Sequence, residues 1–355
     1  MTKKVIIKID SKKLHKAIKL IFKSYGLKTN NLKKISKYLI EADLCGQNSH
    51  GVARLPYYVQ KIEDKDININ AKSKIYNETS TTAQVDGGWG FGQLAADDAI
   101  KLCIKKATKS NIACVTLKKA NHVGRLSDYT SQAARKNLIG MAFANLHGTS
   151  HIVSPFGGID RKLPTNPISI STPGINKKIF FEMDMSTSAV SEGKLNINYL
   201  IKKKVNKNII IDHLGRSTQD SKAFYETPKG SILPLGGVSG HKGFALSMAV
   251  DIVSGALSAA GCTGPRQTRH GNAVTFIAIK ISSFTTIKEF RKKISTLVSH
   301  VKNTRLQKGF KRILIPGDFE RINRSKNLKK GVDINYITLN KIRKLIKKKK
   351  IKVNI

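Results

Sequence analysis

Within ten residues the chain sets Ser49, His50, Gly51, Arg54, Pro56 and Tyr58 close together, at the end of a run that begins at Asp43. An imidazole titrates near neutral pH and can take or give a proton there. Gly51 lets backbone approach a ligand, and the planar fork of Arg54 matches a carboxylate. A second imidazole, His122, stands in Asn121–His122–Val123–Gly124–Arg125, just past an apolar run. Asp184, near the end of Ile179 to Met185, has the chemistry to orient an imidazole and stabilise its charged form. The set points to proton transfer beside a bound organic acid, with His122 and His50 both open as the acid/base.

Periodicity outlines the elements that must hold these groups. Ser11 reads as the cap of a helix bearing Leu14, Ile18, Ile21, Phe22 and Tyr25 at helical spacing, ended by Gly26. A second helix carries Leu32, Ile35, Leu39 and Ile40, and a third spans Ala95 to Ala107. Strands are predicted at Ile112–Leu117, Leu138–Asn145, Pro167–Thr172, Ile179–Met185 and Asn272–Lys280. Gly243 to Ala260 is apolar nearly all round and is expected inside. Ile287 to Val301 reads as helix, and Ile313 to Pro316 as the close of the regular part. Helices and strands alternating in the middle predict an α/β body with helical ends packed as a second lobe.

Other motifs carry less. No Gly-x-Gly-x-x-Gly joins a strand to a helix, so the usual dinucleotide fingerprint is absent. Gly87, Gly88, Gly90 and Gly92 around Trp89 read as a turn. Gly236 to Gly243 is not a Walker loop, yet it sets flexible amides and Lys242 at a helix start, which favours a phosphate. His147 and His151 are four apart, but Gly148, Ser150 and Pro155 make their segment a loop, so no metal site is expected. Ser239 lacks the flanking pattern of a nucleophile elbow.

The 355 residues are 40% apolar, enough for a full core and long for one lobe. Lys and Arg number 64 against 23 Asp and Glu, a net +41 that raises nucleic acid as a partner. The excess is spread along the chain, with only eight basic residues in Lys341–Ile355. Over a monomer surface of roughly 14,000 Å² its mean spacing is ~19 Å, beyond the ~8 Å Debye length. Aromatics are 6% and no stacking motif appears, so diffuse charge is the better reading. Cys45, Cys103, Cys114 and Cys262 lie far apart and are expected as free thiols. No run of about 18 apolar residues exists. Met1 to Asp10 lacks the layout of a secretory signal, and a cytoplasmic location is expected.

In chain order, six blocks resemble the malate/L-lactate dehydrogenase family that lacks a Rossmann fold. They are Ser49-His50-Gly51 with Arg54, Pro56 and Tyr58; Asn121-His122 with Gly124; Thr165-Asn166-Pro167; Asp184-Met185-Ser186-Thr187-Ser188; Leu233 to Gly237 with His241-Lys242-Gly243; and Ser254 to Ser258. Arg125 and Asp128-Tyr129 are most similar to its hydroxycarboxylate dehydrogenase branch. The resemblance implies a mixed-sheet NAD(P)-binding fold of the sulfolactate dehydrogenase type, with a helical lobe from both chain ends and homodimers that share the site. With the element pattern, this sets the helical lobe at 1–75 joined by 310–355, and the α/β body at 76–309.

For activity, the resemblance implies hydride transfer between NAD or NADP and a 2-hydroxy or 2-oxo acid. A cyclic imine reductase on the same fold is the alternative. His122, or a relay of Ser49, His50 and Asp184, matches the proton-transfer group. Arg54, Tyr58 and Thr165 match substrate contacts. The segments His122–Val123–Gly124–Arg125–Leu126, Asp184–Met185–Ser186 and His241–Lys242 match cofactor contacts. Two positions depart from the family: Pro164 stands where Gly precedes Thr-Asn-Pro, and Glu192 where relatives often carry a basic residue.

Overall fold

Residues 6–148, 151–174, 179–264 and 269–355 are described by the computed structural model of the chain. After a short strand β1 (Ile6–Ile9), helix α1 (Ser11–Ser24) buries Leu14, Ala17, Ile18, Ile21 and Phe22 along one face. Asp10, not Ser11, caps it: its carboxylate accepts from the amide of Lys13 at 2.9 Å, and Ser11 is the first helical residue. Gly26, at φ 86°, turns the chain toward α2 (Thr29–Leu44). Two 3₁₀ turns, Asn48–His50 and Val52–Arg54, lead to α3 (Leu55–Glu63).

The chain then enters a seven-stranded sheet through β2 (Lys74–Tyr76), β3 (Thr82–Gly90), α4 (Gly92–Ser110) and β4 (Ile112–Ala120). Next come α5 (Ser127–Ala134), β5 (Leu138–His147), β6 (Ile168–Pro173) and β7 (Ile179–Met185). A small region follows: α6 (Glu192–Leu200), β8 (Ile210–Ile211), β9 (Ser217–Thr218), α7 (Lys222–Tyr225) and β10 (Ser231–Ile232). Helix α8 (Gly240–Asp251), a π-type turn at Ile252–Ala256, β11 (Gly271–Lys280) and α9 (Ile287–Lys302) return the chain to the sheet. It ends in α10 (Asp318–Lys330), β12 (Val332–Asn335) and α11 (Tyr336–Lys348).

Sheet order is β2-β3-β4-β11-β5-β6-β7, and only β3 and β4 run parallel. This is the expected mixed sheet. Its core joins Val85, Val115, Leu117, Phe276 and Ala278 to Ala99, Ile100 and Cys103 of α4 and to Tyr129 of α5. A second core unites the chain ends: Leu14, Ile18, Ile35, Leu39 and Tyr58 pack with Val332, Ile334, Leu339 and Ile342. Strands β1 and β12 stitch those ends antiparallel, from Ile6 opposite Asn335 to Ile9 opposite Val332. A third core, around Val153, Leu195, Ile210, Phe224 and Ile232, belongs to the small region.

Two expectations are corrected. The regular part does not close at Pro316, since α10, β12 and α11 follow. In α10 large apolar residues are few (Phe319, Ile322, Leu328) and charges many, so its pattern is faint. Nor is α8 with its π turn wholly inside: one side packs on the sheet, while Met248, Ile252 and Leu257 are exposed.

Candidate active site

The turn carrying His50 is held from three directions. Asp43, buried at the end of α2, accepts from the amide of Val52 at 2.8 Å. Its carboxylate packs so closely on Gly51 that a Cβ there would lie 2.0 Å from Oδ1. Burial pushes the Asp43 carboxyl up to about 8. From the chain's far end, the Asn48 amide donates to the carbonyl of Asp333 at 2.9 Å, and that of Asn327 to Leu44 at 3.0 Å. Ser49 abuts α6, where a Cβ on Gly193 would lie 2.2 Å from the Ser49 Cβ.

His122 follows β4 in a loop fixed just as tightly. The side-chain amide of Asn121 donates to the carbonyls of Trp89 (2.8 Å) and Gly90 (3.0 Å). The loop runs over the first residue of α4, where a Cβ on Gly92 would lie 2.0 Å from the Asn121 carbonyl. Val123 donates its amide to Asn272 of β11 at 3.0 Å, and the Tyr129 hydroxyl donates to the Val123 carbonyl. Gly124 takes φ 81°, a left-handed conformation that favours glycine.

Seventy-two positions apart, the two imidazoles meet: His50 Nδ1 lies 3.2 Å from His122 Nε2, and the rings are nearly parallel. The Tyr58 hydroxyl lies 2.6 Å from His122 Nδ1, and the side-chain amide of Gln93 donates to that hydroxyl at 2.6 Å. Both rings are held below the ordinary imidazole range, His50 at about 3 and His122 well below it. Desolvation is the main cause, and the positive charge of nearby Arg54 adds to it on both. Arg54 is anchored through Nε to the carbonyl of Ser49 at 2.8 Å. Two neutral imidazoles and a guanidinium thus gather from separate parts of the chain, a set fit to bind an anion and relay a proton.

The remaining predicted residues occupy different settings. Tyr58 is 1% exposed and backs His122. Asp184 bonds to no imidazole: its Oδ2 accepts from the amide of Ser127 at 2.8 Å, and burial raises its carboxyl to about 6. Arg125 is buried, with two nitrogens on Asp128 and a third 3.7 Å from Glu182. The Thr165 carbonyl accepts from Thr187, through its amide at 2.9 Å and its hydroxyl at 3.0 Å. Val123 and Leu126 are buried beside the His122 loop, Met185 pairs with Ile168, and the Ser186 hydroxyl donates to the Ser188 carbonyl. Among the described residues no three metal-ligating side chains cluster, and Cys45, Cys103 and Cys114 are free thiols.

Gln93 and Asp43 carry the site without having been singled out for it. The one signal for Gln93 is its position: it shares a face of α4 with Ala96 and Ile100, a polar residue at apolar spacing.

At the start of α8, Gly236 (φ 123°) and Gly237 (φ 57°) turn the chain, and space beside Gly237 is open. No side chain caps the first turn of this helix, and His241 and Lys242 are exposed on it. The Gly240 amide donates back to the Gly237 carbonyl, and the exposed Lys242 ammonium at the positive end of the helix is a donor that suits a phosphate, so these residues fit a nucleotide cofactor.

Residues 9–343 match the family described as malate/L-lactate dehydrogenase. The chain belongs to that family. It is 34% identical to the malate dehydrogenase of Pyrococcus abyssi, over 96% of this chain and 95% of that one. Against the L-sulfolactate dehydrogenase of Methanocaldococcus jannaschii the identity is 32%, over 96% of both. The crystal structure of malate dehydrogenase from Entamoeba histolytica superposes with a TM-score of 0.92 at 28% identity, covering 99% of this chain and 100% of that one. The chain is accordingly an oxidoreductase of 2-hydroxy acids, and its family implies a nicotinamide cofactor.

Proposed function

We propose that the protein interconverts a 2-hydroxy and a 2-oxo carboxylic acid with NAD or NADP, using Arg54 and the His50–His122 pair. The observation that carries this reading is the convergence of Arg54 on two hydrogen-bonded, neutral imidazoles. Arg54 holds the substrate carboxylate by paired hydrogen bonds. Fixing the acid against the proton relay supplies part of the roughly 7–11 kcal/mol that positioning is worth. Both ring nitrogens of His122 are engaged, by Tyr58 and by His50. His50 is therefore the group that exchanges the proton with the C2 oxygen, and His122 stands behind it. Being neutral at pH 7, the pair has the capacity for the proton released when a 2-hydroxy acid is oxidised, once a bare ring nitrogen faces the C2 hydroxyl.

A bound nicotinamide supplies or accepts the hydride at C2. The loop from His122 to Leu126, residues Asp184 to Ser186, and His241–Lys242 hold the cofactor in this reading. The bond from Ser127 to Asp184 supports it by tying the first two segments together. Ser49 positions Arg54 through its carbonyl, and Thr165 completes the substrate pocket. A homodimer and a cytoplasmic setting complete the proposal. The exposed apolar side chains of Met248, Ile252 and Leu257 support the first, and the free thiols of Cys45, Cys103 and Cys114 the second.

The test is absorbance at the nicotinamide band with purified protein, NADH or NADPH, and a panel of 2-oxo acids and cyclic imines. Oxidation of cofactor by 2-oxo acids is expected. His50→Ala and His122→Ala are each expected to lower turnover by about 10²-fold or more. Near-normal turnover in both variants would overturn the assignment.

A further inference from the structure

We infer that Gln93 is a positioning residue that sets the tautomers of both site imidazoles by acting through the Tyr58 hydroxyl. Gln93 is 1% exposed in the first turn of α4, and its Nε2 lies 2.6 Å from the Tyr58 oxygen. An amide nitrogen only donates, so the phenol oxygen accepts there and its single hydrogen is left for His122 Nδ1, 2.6 Å away. A neutral imidazole has one N–H. With Nδ1 accepting, the hydrogen of His122 sits on Nε2 and is donated to His50 Nδ1 at 3.2 Å. His50 then carries its own hydrogen on Nε2. One buried amide thus gives the whole chain a direction, from Gln93 through Tyr58 and His122 to His50.

The opposite amide orientation is the costlier one. As the side chain stands, Gln93 Oε1 has no partner among the described residues. Reversal would bring the oxygen to Tyr58 and leave the two hydrogens of a buried amide unmatched in place of one acceptor, and buried donors are rarely left so. In the direction observed, the resting pair ends in an N–H, a donor to the C2 oxygen of a 2-oxo acid. Delivering a proton to that oxygen requires one more proton on the pair, taken up from solvent, and accepting one in oxidation requires the chain of hydrogens to reverse so that His50 Nε2 is bare. This consequence rests on the proposed reaction, whereas the tautomers themselves do not.

The deciding measurement is the two-bond ¹H–¹⁵N correlation spectrum of the histidine side chains in ¹⁵N-labelled full-length protein at pH 7. His50→Gln and His122→Gln spectra identify the two rings. Both are expected to show protonated Nε2 and bare Nδ1 in the parent protein, and Gln93→Met is expected to abolish that uniform pattern. In kinetics, Gln93→Met should lower kcat about tenfold or more with KM within about twofold, part of the ~10²–10⁴-fold worth of a positioned acid/base. The double variant Gln93→Met/Tyr58→Phe should be no slower than Tyr58→Phe alone. Protonated Nδ1 in either ring of the parent protein would overturn the inference, as would unchanged tautomers in Gln93→Met or additive losses in the double variant. The parent and Tyr58→Phe spectra decide it even where Gln93→Met fails to fold. Absence of activity on 2-oxo acids would remove the proposed function and leave the spectra to judge the tautomers.

Discussion

Asp43 and His50, seven positions apart, titrate in opposite senses. The Asp43 carboxyl rises on folding from 3.8 to about 8, so the native state keeps a proton that the unfolded chain releases. Stability from this group is full below about pH 4 and is lost as pH rises toward 8. His50 falls from 6.5 to about 3, so its contribution is lost as pH drops through that interval. Asn at position 43 still accepts from Val52 but does not titrate. Asp43→Asn is therefore expected to lose less stability than the parent between pH 5 and 8.5, read from urea midpoints, and parallel profiles would contradict this. His50, Arg54 and His122 were legible as candidates because their chemistry is rare on a bland surface. The sequence offers Asp184 an imidazole and the structure gives it the Ser127 amide, since a carboxylate announces nothing of which donor it will meet. Gln93 was invisible because its work depends on a phenol 35 positions away.

The elements were easier to read than their ends. Helices α1, α2, α4 and α9 and strands β4 to β7 and β11 follow from apolar spacing alone. Strand β1 was missed because four residues make too short an alternation to stand out, and its partner β12 lies at the other end of the chain. Pairing across 325 positions leaves no local trace. Glycines are where an element meets the site. At Gly92 the entry of α4 is pressed against the Asn121 carbonyl, 2.0 Å from any added Cβ. A single methyl there must push the His122 loop away, since backbone cannot yield as a flexible side chain can. Gly92→Ala is expected to cost about 1–3 kcal/mol of stability, with turnover falling further than stability explains. Thermal denaturation and kcat measured together would check it, and a variant with full activity would show that the loop tolerates displacement.

At the scale of the molecule, surface area is informative. The single chain exposes 19,004 Å², against roughly 14,000 Å² for a compact monomer of this mass. Residues 301–312 are all exposed, Leu306 and Phe310 among them, and α9 buries no residue in the single chain. An excess of about 5,000 Å² is of the order that a large interface between two copies buries, as the proposed dimer would require. Leu306→Asp with Phe310→Asp is expected to shift sedimentation toward the monomer, and an unchanged coefficient would exclude this arm from the interface. The larger surface also thins the charge, to one excess positive charge per about 460 Å², a mean spacing of ~21 Å that salt screens. No described helix is long and apolar enough to cross a membrane. The stitching of β1 to β12, with Asn327 and Asp333 reaching back to the turn before His50, also fixes an order of events. A ribosome delivers that histidine well before residues 327–335, which brace it from across the lobe. The nascent turn is therefore expected to stay loosely held until residues 327–335 have emerged and docked against it.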